Sequence, residues 1–389
     1  MQKIRVAHVI YNLQRGGAER LTLDICRELN KRNDFESVLI VFDDRNDFPE
    51  ATGDINIVRC SSTVVLKFPW NVVSDLADWN HIMTKQKPDI IHSHLFYADW
   101  VSREHLYKDI AYFSHIHGIT TQYERLSAGQ WLSRQHAIRL VTGRHIRKRY
   151  KACHNQFIAN SHEIKRYLQR NLNDKSGMVH LLPNAIDRQR FSSKQHGSSG
   201  QLIRLVSTGT LNENKNQAFL LLVVQQLRAK GIPVQLDLLG DGPLLHELEK
   251  KVKEYQLENA VHLHGMVQDV EAYLQQADIY VHAASNEPFG LALAEALSVG
   301  LPVISLDGKG TRNIVEDGSN GFVVSSHDPE LFAKKIMDVA KDENTYIGFS
   351  NRARESAEKF DIGNYVDKLT VLYRNELKYR RPNAVAYTT

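Results

Sequence analysis

Glu287 and Glu295 flank the run Pro288-Phe-Gly-Leu-Ala-Leu-Ala294, and Ala-Leu-Ser-Val-Gly300-Leu-Pro302 follows. Pro288 suits a first helical position, and Gly300 suits the residue just past a helix end. The helix between them is apolar nearly all round, so burial is expected. A carboxylate at Glu295 inside such a helix is costly unless something hydrogen-bonds it. Glu287 falls at the helix mouth, where free backbone N–H groups favour an anion. Two carboxylates beside an anion site fit a ligand with both hydroxyls and phosphates, such as a sugar nucleotide.

Other chemistry-bearing residues fall at strand ends. Lys215, in Thr208-Gly-Thr-Leu-Asn-Glu-Asn-Lys215, sits on a strand-to-helix loop from which a cation can reach the same anion. Gly16-Gly17 follows the first strand, where glycine lets backbone approach a ligand, or simply makes a tight turn. It is not the G-x-G-x-x-G dinucleotide fingerprint, which argues against a nicotinamide cofactor. Gly240 and Gly265 close later strands and would let a flat base approach the backbone, or are plain turns. His117 ends a strand, with His92, His94 and His115 nearby. The pairs 92/94 and 115/117 each share a strand face and could together make a metal site. No carboxylate or cysteine joins them at ligand spacing, and a single histidine donating to a sugar hydroxyl is the better reading.

These residues need a scaffold. The chain has 389 residues, 42% apolar and 24% charged, which suits two soluble domains. No apolar run is long enough to span a membrane. Met1–Ile10 is interrupted by charge and lacks a small-residue cleavage site, so it reads as a first strand rather than a signal peptide. Cys26, Cys60 and Cys153 form no disulfide or metal pattern and read as reduced core thiols of a cytosolic protein. Strand-like runs at 4–11, 37–42, 89–94, 111–117, 157–160 and 179–182 alternate with helical patterns, and Ser161 is a plausible helix cap. The segment 192–201, Ser-Ser-Lys-Gln-His-Gly-Ser-Ser-Gly-Gln, is linker-like. Beyond it strands recur at 203–207, 234–239, 261–264, 279–283, 302–305 and 321–324. Two doubly wound parallel α/β sheets are expected, an N-terminal domain over 1–190 and a C-terminal one over 191–360. A ligand cleft should lie between them, and the helical spacing from Asn364 suggests that residues 361–389 cross back to the first domain.

Charge is uneven. Residues 1–190 carry 28 Lys and Arg against 20 Asp and Glu, a net of +8, whereas residues 191–359 carry 16 against 22, a net of −6. Trp131–Lys151 holds seven basic residues, among them Arg144, Arg147, Lys148 and Arg149, and no acidic one. Apolar residues are interleaved. Such a helix is either an interfacial site for an anionic membrane or lipid phosphate, or a solvated basic face whose stems pack on the domain. No nucleic-acid-binding fold accompanies it, which argues against nucleic acid.

Together the motifs resemble the retaining glycosyltransferases of family 4, which have the GT-B fold of two Rossmann-like domains facing across a cleft. The resemblance covers essentially the whole chain. It rests chiefly on Glu287-x7-Glu295, supported by Pro183-Asn184-Ala-Ile-Asp187, Gly209-Thr-Leu-Asn-Glu-Asn-Lys215-Asn, Gly240-Asp-Gly-Pro243, Gly300-Leu-Pro-Val and Asp317-Gly-Ser-Asn-Gly321. It implies that Glu295 binds the donor ribose, Glu287 and His117 contact the hexose, and the backbone at Phe289, Gly290 and Leu291 holds the diphosphate. Lys215 would neutralise the leaving phosphates, and the Gly16-Gly17 loop would close over the phosphate and acceptor side. The sequence has no Asp-x-Asp tripeptide, so neither a metal nor another cofactor is expected.

Two positions depart from the family pattern. Thr210 stands where arginine is usual, and Arg312 or Arg15 could supply the missing cation. Gly308-Lys-Gly310-Thr-Arg-Asn313 stands where Gly-Gly-x-Pro-Glu is common, on the donor-sugar side. The expected activity is retaining hexosyl transfer from a nucleotide-diphosphate sugar to a lipid-linked or surface-polysaccharide precursor. The expected location is the cytoplasm or the inner face of the membrane. The alternatives are a sugar-nucleotide epimerase or hydrolase on this fold, and a non-catalytic membrane-docking subunit.

Overall fold

The computed structural model describes residues 3–67, 70–124, 134–172, 178–192 and 202–381. By their contacts the residues form two units, Met1–Asn184 with Ile362–Thr389, and Ala185–Asp361. The division falls a few residues before the one that composition suggests. Ile186 and Phe191 are already packed into the second unit's core, and the Ile186 N–H donates to the Phe360 carbonyl at 2.8 Å. Most of the linker-like stretch, 193–201, lies outside the described residues.

The first unit contains β1 (Ile4–Ile10), α1 (Gly17–Asn30), β2 (Phe35–Val41) and β3 (Ile57–Arg59). A small antiparallel pair, β4 (Thr63–Lys67) and β5 (Asn71–Asp75), precedes α2 (Ala77–Gln86). Then come β6 (Ile90–His94), α3 (Leu95–Ser102), β7 (Ala111–Ile116), α4 (Arg134–Ala152), β8 (Gln156–Ala159), α5 (His162–Leu172) and β9 (Val179–Leu181). Its seven-stranded sheet runs β3-β2-β1-β6-β7-β8-β9, and the registered pairs are parallel. The inner strands β6 and β7 are buried throughout, and among their apolar residues they carry His92, Ser93, His94, Ser114 and His115. Ser161 caps α5, its hydroxyl accepting from the Ile164 N–H at 3.2 Å. Cys26, Cys60 and Cys153 are buried free thiols.

The second unit contains β10 (Ile203–Thr208), α6 (Gln217–Ala229), β11 (Val234–Leu239), α7 (Leu245–Glu254), β12 (Val261–Gly265), α8 (Val270–Gln276) and β13 (Ile279–His282). It continues with α9 (Leu291–Val299), β14 (Val303–Leu306), β15 (Gly321–Val324), α10 (Pro329–Val339) and α11 (Glu343–Ala357). Its sheet order is β12-β11-β10-β13-β14-β15, again parallel. α12 (Ile362–Arg380) then joins the first unit. Arg374 reaches Asp34 at 2.6 Å, and Tyr373 packs edge-on against Phe113 with ring centroids 4.9 Å apart.

Each sheet reverses its strand order beside its first strand, between β1 and β6 and between β10 and β13. Loops leaving those strands diverge at the carboxyl end, which opens a crevice for a ligand.

Candidate active site

In the second unit, Lys215 comes from the loop after β10 and Glu287 from the segment after β13, the two strands that flank the switch point. The Lys215 ammonium is ion-paired with the Glu287 carboxylate. His282, the last residue of β13, places Nε2 3.2 Å from the same carboxylate oxygen. Burial works to raise the Glu287 carboxyl, but His282 and Lys215 outweigh it and hold its pKa at about 2. Burial, aided by the Lys215 charge, lowers the His282 pKa, so this ring is neutral near pH 7. The site thus holds an ionised carboxylate, an ammonium and a neutral imidazole in contact.

Backbone geometry fixes these groups. Lys215 N–H donates to Asn212 Oδ1 at 2.9 Å, tightening the loop. Gly209 and Gly240 close neighbouring strands at φ +137 and +139, and a Cβ at Gly240 would lie 2.1 Å from the Gly209 carbonyl oxygen. The Gly240 N–H donates to the Gly265 carbonyl at 2.8 Å, so these glycines form one ledge across three strand ends. Glu287 is held by its own backbone, its N–H donating to the Gly308 carbonyl at 2.8 Å and its carbonyl accepting from Gly310 N–H at 3.1 Å. A Cβ at Gly310 would meet that carbonyl at 2.2 Å. The Gly308-Lys-Gly310 departure is therefore a backbone brace for Glu287.

That brace corrects the expected helix start. Residues 287–290 are held as a loop, Gly290 is the N-cap at φ +88, and α9 begins at Leu291, so Pro288 is not its first residue. Gly300 does end the helix, in left-handed conformation at φ +96. Phe289 is buried edge-on against Phe360, centroids 5.6 Å apart. Glu295 is half-buried rather than sealed inside an all-apolar helix, because Leu291, Ala292 and Glu295 form one partly open stripe. It needs less compensation than a fully buried carboxylate.

Thr210 is exposed, and its carbonyl accepts from Gln217 Nε2 at 3.1 Å. Arg312 donates from Nε to Asp307 at 2.8 Å and from Nη2 to Ser325 at 2.9 Å, so its guanidinium is already engaged. The Arg15 backbone N–H is tied to Asp47 at 3.0 Å.

In the first unit, Gly16 is the extended N-cap of α1 and Gly17 its first residue, directly after β1. A Cβ on Gly16 would lie 2.3 Å from the Glu19 carboxylate. His117 follows β7, and its carbonyl accepts from Asn160 Nδ2 at 3.0 Å. Its ring stacks on His115 with centroids 4.1 Å apart. His8, His92, His94, His115 and His117 form one layer, and the trios His8–His92–His94 and His94–His115–His117 each bring ring nitrogens within 4.8 Å. Sequence reasoning missed His8 and His282. Their signal was a lone histidine in an apolar strand, Val6-Ala-His8-Val and Ile279-Tyr-Val-His282.

The basic stretch becomes α4, whose inner face is Thr142, Gly143, Ile146 and Tyr150. Arg144 and Lys148 are exposed, Arg147 is half-buried, and Arg149 pairs with Glu104 at 3.1 Å. Trp131 and Leu132 lie outside the described residues. Among the described residues no helix is long and apolar enough to cross a membrane.

The family described as Glycosyltransferase Family 4 matches residues 15–190, and the family described as Glycosyl transferases group 1 matches residues 188–357. The chain belongs to the family 4 glycosyltransferases. It is 35% identical over 143 residues to the poly(glycerol-phosphate) alpha-glucosyltransferase of Bacillus subtilis, covering 36% of this chain and 21% of that protein. It is 28% identical over 179 residues to the putative colanic acid biosynthesis glycosyltransferase WcaL of Salmonella typhimurium, 44% of each. The matched region is thus less than half the length of these curated relatives. Anabaena Alr3699/HepE in complex with UDP superposes with a TM-score of 0.75 at 18% identity, covering 96% of this chain and all of that one. These likenesses give the chain the GT-B fold of two parallel-sheet α/β units.

Proposed function

We propose that the chain transfers a hexose, with retention of anomeric configuration, from a nucleotide-diphosphate sugar to a glycan or lipid-linked acceptor. The observation that carries this reading is the Lys215–Glu287–His282 cluster at the switch point of the second sheet, beside the start of α9. The first-turn N–H groups of a helix lack intrahelical acceptors and favour an anion. Negative charge builds on the departing diphosphate as the glycosidic bond breaks. The α9 amides, approached past the backbone of Phe289, Gly290 and Leu291, take up that charge together with Lys215. Because this charge is larger in the transition state than in the bound donor, the contacts accelerate the reaction rather than merely tighten binding.

Glu287 has two uses in this reading. It holds Lys215 in place before the donor arrives, and it accepts hydrogen bonds from hexose hydroxyls. Its depressed pKa keeps it ionised for both. Glu295, on the half-open stripe of α9, accepts from the ribose hydroxyls. His117 donates to the hexose, and the Gly16-Gly17 turn serves the phosphate and acceptor side. Arg144, Lys148 and their neighbours on α4 would hold the protein to an anionic membrane at the cytoplasmic face, where lipid-linked acceptors are found. The cations named here meet the charge of the diphosphate without a metal.

HepE is described in complex with UDP and UDP-glucose, and one relative carries the name of an alpha-glucosyltransferase. UDP-glucose is therefore the first donor to try. The test is a thermal-shift panel of UDP-, GDP- and ADP-sugars in EDTA, then product analysis with and without acceptor. A ligand at about 100 times its Kd adds ~2.7 kcal/mol of stability. Stabilisation by one nucleotide class, with turnover only when acceptor is present, is expected. Donor consumption without acceptor at the same rate would point to a hydrolase or epimerase, and an absolute requirement for a divalent cation would remove the metal-independent part.

A further inference from the structure

Charge at the switch point of the second sheet is nearly balanced before any ligand arrives. The Lys215 ammonium is ion-paired with the Glu287 carboxylate, which stays ionised. Arg312 is paired with Asp307 at 2.8 Å. His282 is neutral near pH 7. Glu295 adds a further carboxylate on the half-open stripe of α9. Against this, the start of α9 offers roughly half a positive charge. A nucleotide-diphosphate sugar brings a negative charge on each phosphate, and more builds as the sugar leaves. Lys215 already shares its charge with Glu287, so the donor calls for another cation that no carboxylate holds.

Lys309 stands at that place. It lies in the loop after β14, between Gly308 and Gly310, whose backbones brace Glu287. Glu287 and Lys309 themselves form a parallel bridge. Bridged residues lie about 4.8 Å apart, and the four-carbon stem of a lysine reaches farther than that. Lys309 is exposed, and among the described residues its ammonium enters no ion pair or hydrogen bond, unlike Lys215 and Arg312. Its backbone is left-handed at φ +69, with its N–H donating to Asp307 Oδ1 at 3.2 Å. That conformation is strained for any residue with a Cβ and free of strain for glycine. Glycine stands on both sides, where a Cβ would lie 2.9 Å from the Ala284 carbonyl oxygen at Gly308 and 2.2 Å from that of Glu287 at Gly310. The left-handed position between them carries a long cation instead. Such outliers gather where a side chain serves a ligand.

We propose that Lys309 is a donor-binding residue that gives the diphosphate of the nucleotide sugar a second cation beside Lys215. This role rests on the donor site proposed above. Because Lys309 is bridged to Glu287, which contacts the hexose in that reading, its ammonium meets the phosphate next to the sugar. The cation that Thr210 does not supply from the loop after β10 thus comes from the loop after β14, two strands away in the sheet. Lys309 binds phosphate without first leaving a carboxylate, whereas Lys215 must be shared with Glu287. Loss of Lys309 therefore shows first in the affinity for the donor. The contact is open to solvent, so salt weakens it.

The test is calorimetric titration of the full chain with UDP, GDP and ADP, each beside its monophosphate, in EDTA. Lys309→Met keeps the stem and removes the charge. It should weaken the diphosphate that the wild type binds by about tenfold to a hundredfold, the loss of one charged hydrogen bond, and the matching monophosphate by no more than about threefold. Lys309→Arg should keep most of the affinity. Lys309→Gly removes charge and strain together. Its diphosphate affinity should fall as in Lys309→Met while its unfolding temperature holds or rises, which separates a lost contact from a damaged fold. Equal diphosphate affinity in wild type and Lys309→Met overturns the proposal and leaves the donor site standing. An equal loss of monophosphate and diphosphate also overturns it, because Lys309 would then act away from the phosphate next to the sugar. A wild type that binds none of the three nucleotides removes the donor site, and the role of Lys309 with it.

Discussion

The Lys215 ammonium and the Glu287 carboxylate, 72 residues apart in sequence, are paired where the second sheet reverses its strand order. A donor diphosphate that recruits Lys215 must compete with that carboxylate. Removing the lysine therefore has two effects, a lost phosphate cation and an ionised glutamate without its ammonium. Lys215→Ala should lower kcat/KM by one to two orders of magnitude, corresponding to ~1.5–3 kcal/mol for a charged hydrogen bond. Glu295→Ala should cost a similar factor but act on donor binding, raising KM more than it lowers kcat. Initial-rate kinetics on both variants checks this, and near-normal turnover in both would sink the assignment.

The Glu287 ionisation also couples the site to acid stability. Its folded pKa of about 2 lies below its ordinary 4.5, so the native state binds protons less readily than the unfolded chain there. The stabilisation is complete above about 4.5 and is lost as pH falls toward 2. Urea unfolding of wild type and Glu287→Gln should differ by a constant amount from pH 6 to 8, on the order of 3 kcal/mol at most. The two should converge between pH 4.5 and 2. A gap that does not change with pH would show that the pair is not what stabilises the carboxylate.

Gly310 offers a test of the brace behind Glu287. A methyl there would sit 2.2 Å from the Glu287 carbonyl oxygen and 2.4 Å from that of Pro288, both backbone and unable to swing aside. Gly310→Ala should destabilise the fold by about 1–3 kcal/mol, the usual range for overpacking. It should also weaken UDP-sugar binding, because the loop that carries Glu287 to the start of α9 must move. Gly53→Ala is the control for adding a methyl alone, since its backbone is not left-handed and no atom lies within 4 Å of the added carbon. Calorimetric unfolding with and without donor separates the two effects.

Vesicle binding tests the basic helix. Arg144 and Lys148 are exposed, whereas Arg149 is tied to Glu104. Each basic residue near an anionic surface contributes ~1 kcal/mol. Arg144→Glu with Lys148→Glu should reduce co-sedimentation with phosphatidylglycerol vesicles by an order of magnitude or more. Raising the salt should have the same effect on the wild type. Equal binding to neutral vesicles would show that the face is merely solvated.

The fold was legible because a buried parallel strand is a short apolar run ended by a turn residue, and Val234–Leu239 and Gly321–Val324 have the bounds that pattern gives. β4 and β5 were not visible. Thr63-Val-Val-Leu-Lys67 and Asn71-Val-Val-Ser-Asp75 are five-residue, mostly exposed strands that put only Val64, with Val72 beside it, against the core. At the candidate site, Glu287 and Lys215 were readable as charges at a helix mouth and on a strand-end loop, and Glu295 as a carboxylate inside an apolar helix. The Glu287 backbone contacts to Gly308 and Gly310 were not, since carbonyl and amide partners leave no mark on side-chain pattern. The same gap misplaced Pro288, whose residue type favours a helix start that the brace prevents.

The placement of α12 has a consequence for synthesis. The second unit is one unbroken stretch, Ala185–Asp361, while the first needs Ile362–Arg380 to cover His92 and Phe113 with Tyr373. Domains usually fold in the order in which they leave the ribosome. Here the nascent N-terminal unit emerges first but keeps an uncovered sheet face until α12 arrives, so the later-made unit is the first that can be finished. Chaperones that meet the nascent chain before α12 has emerged therefore find an N-terminal segment whose sheet is still open.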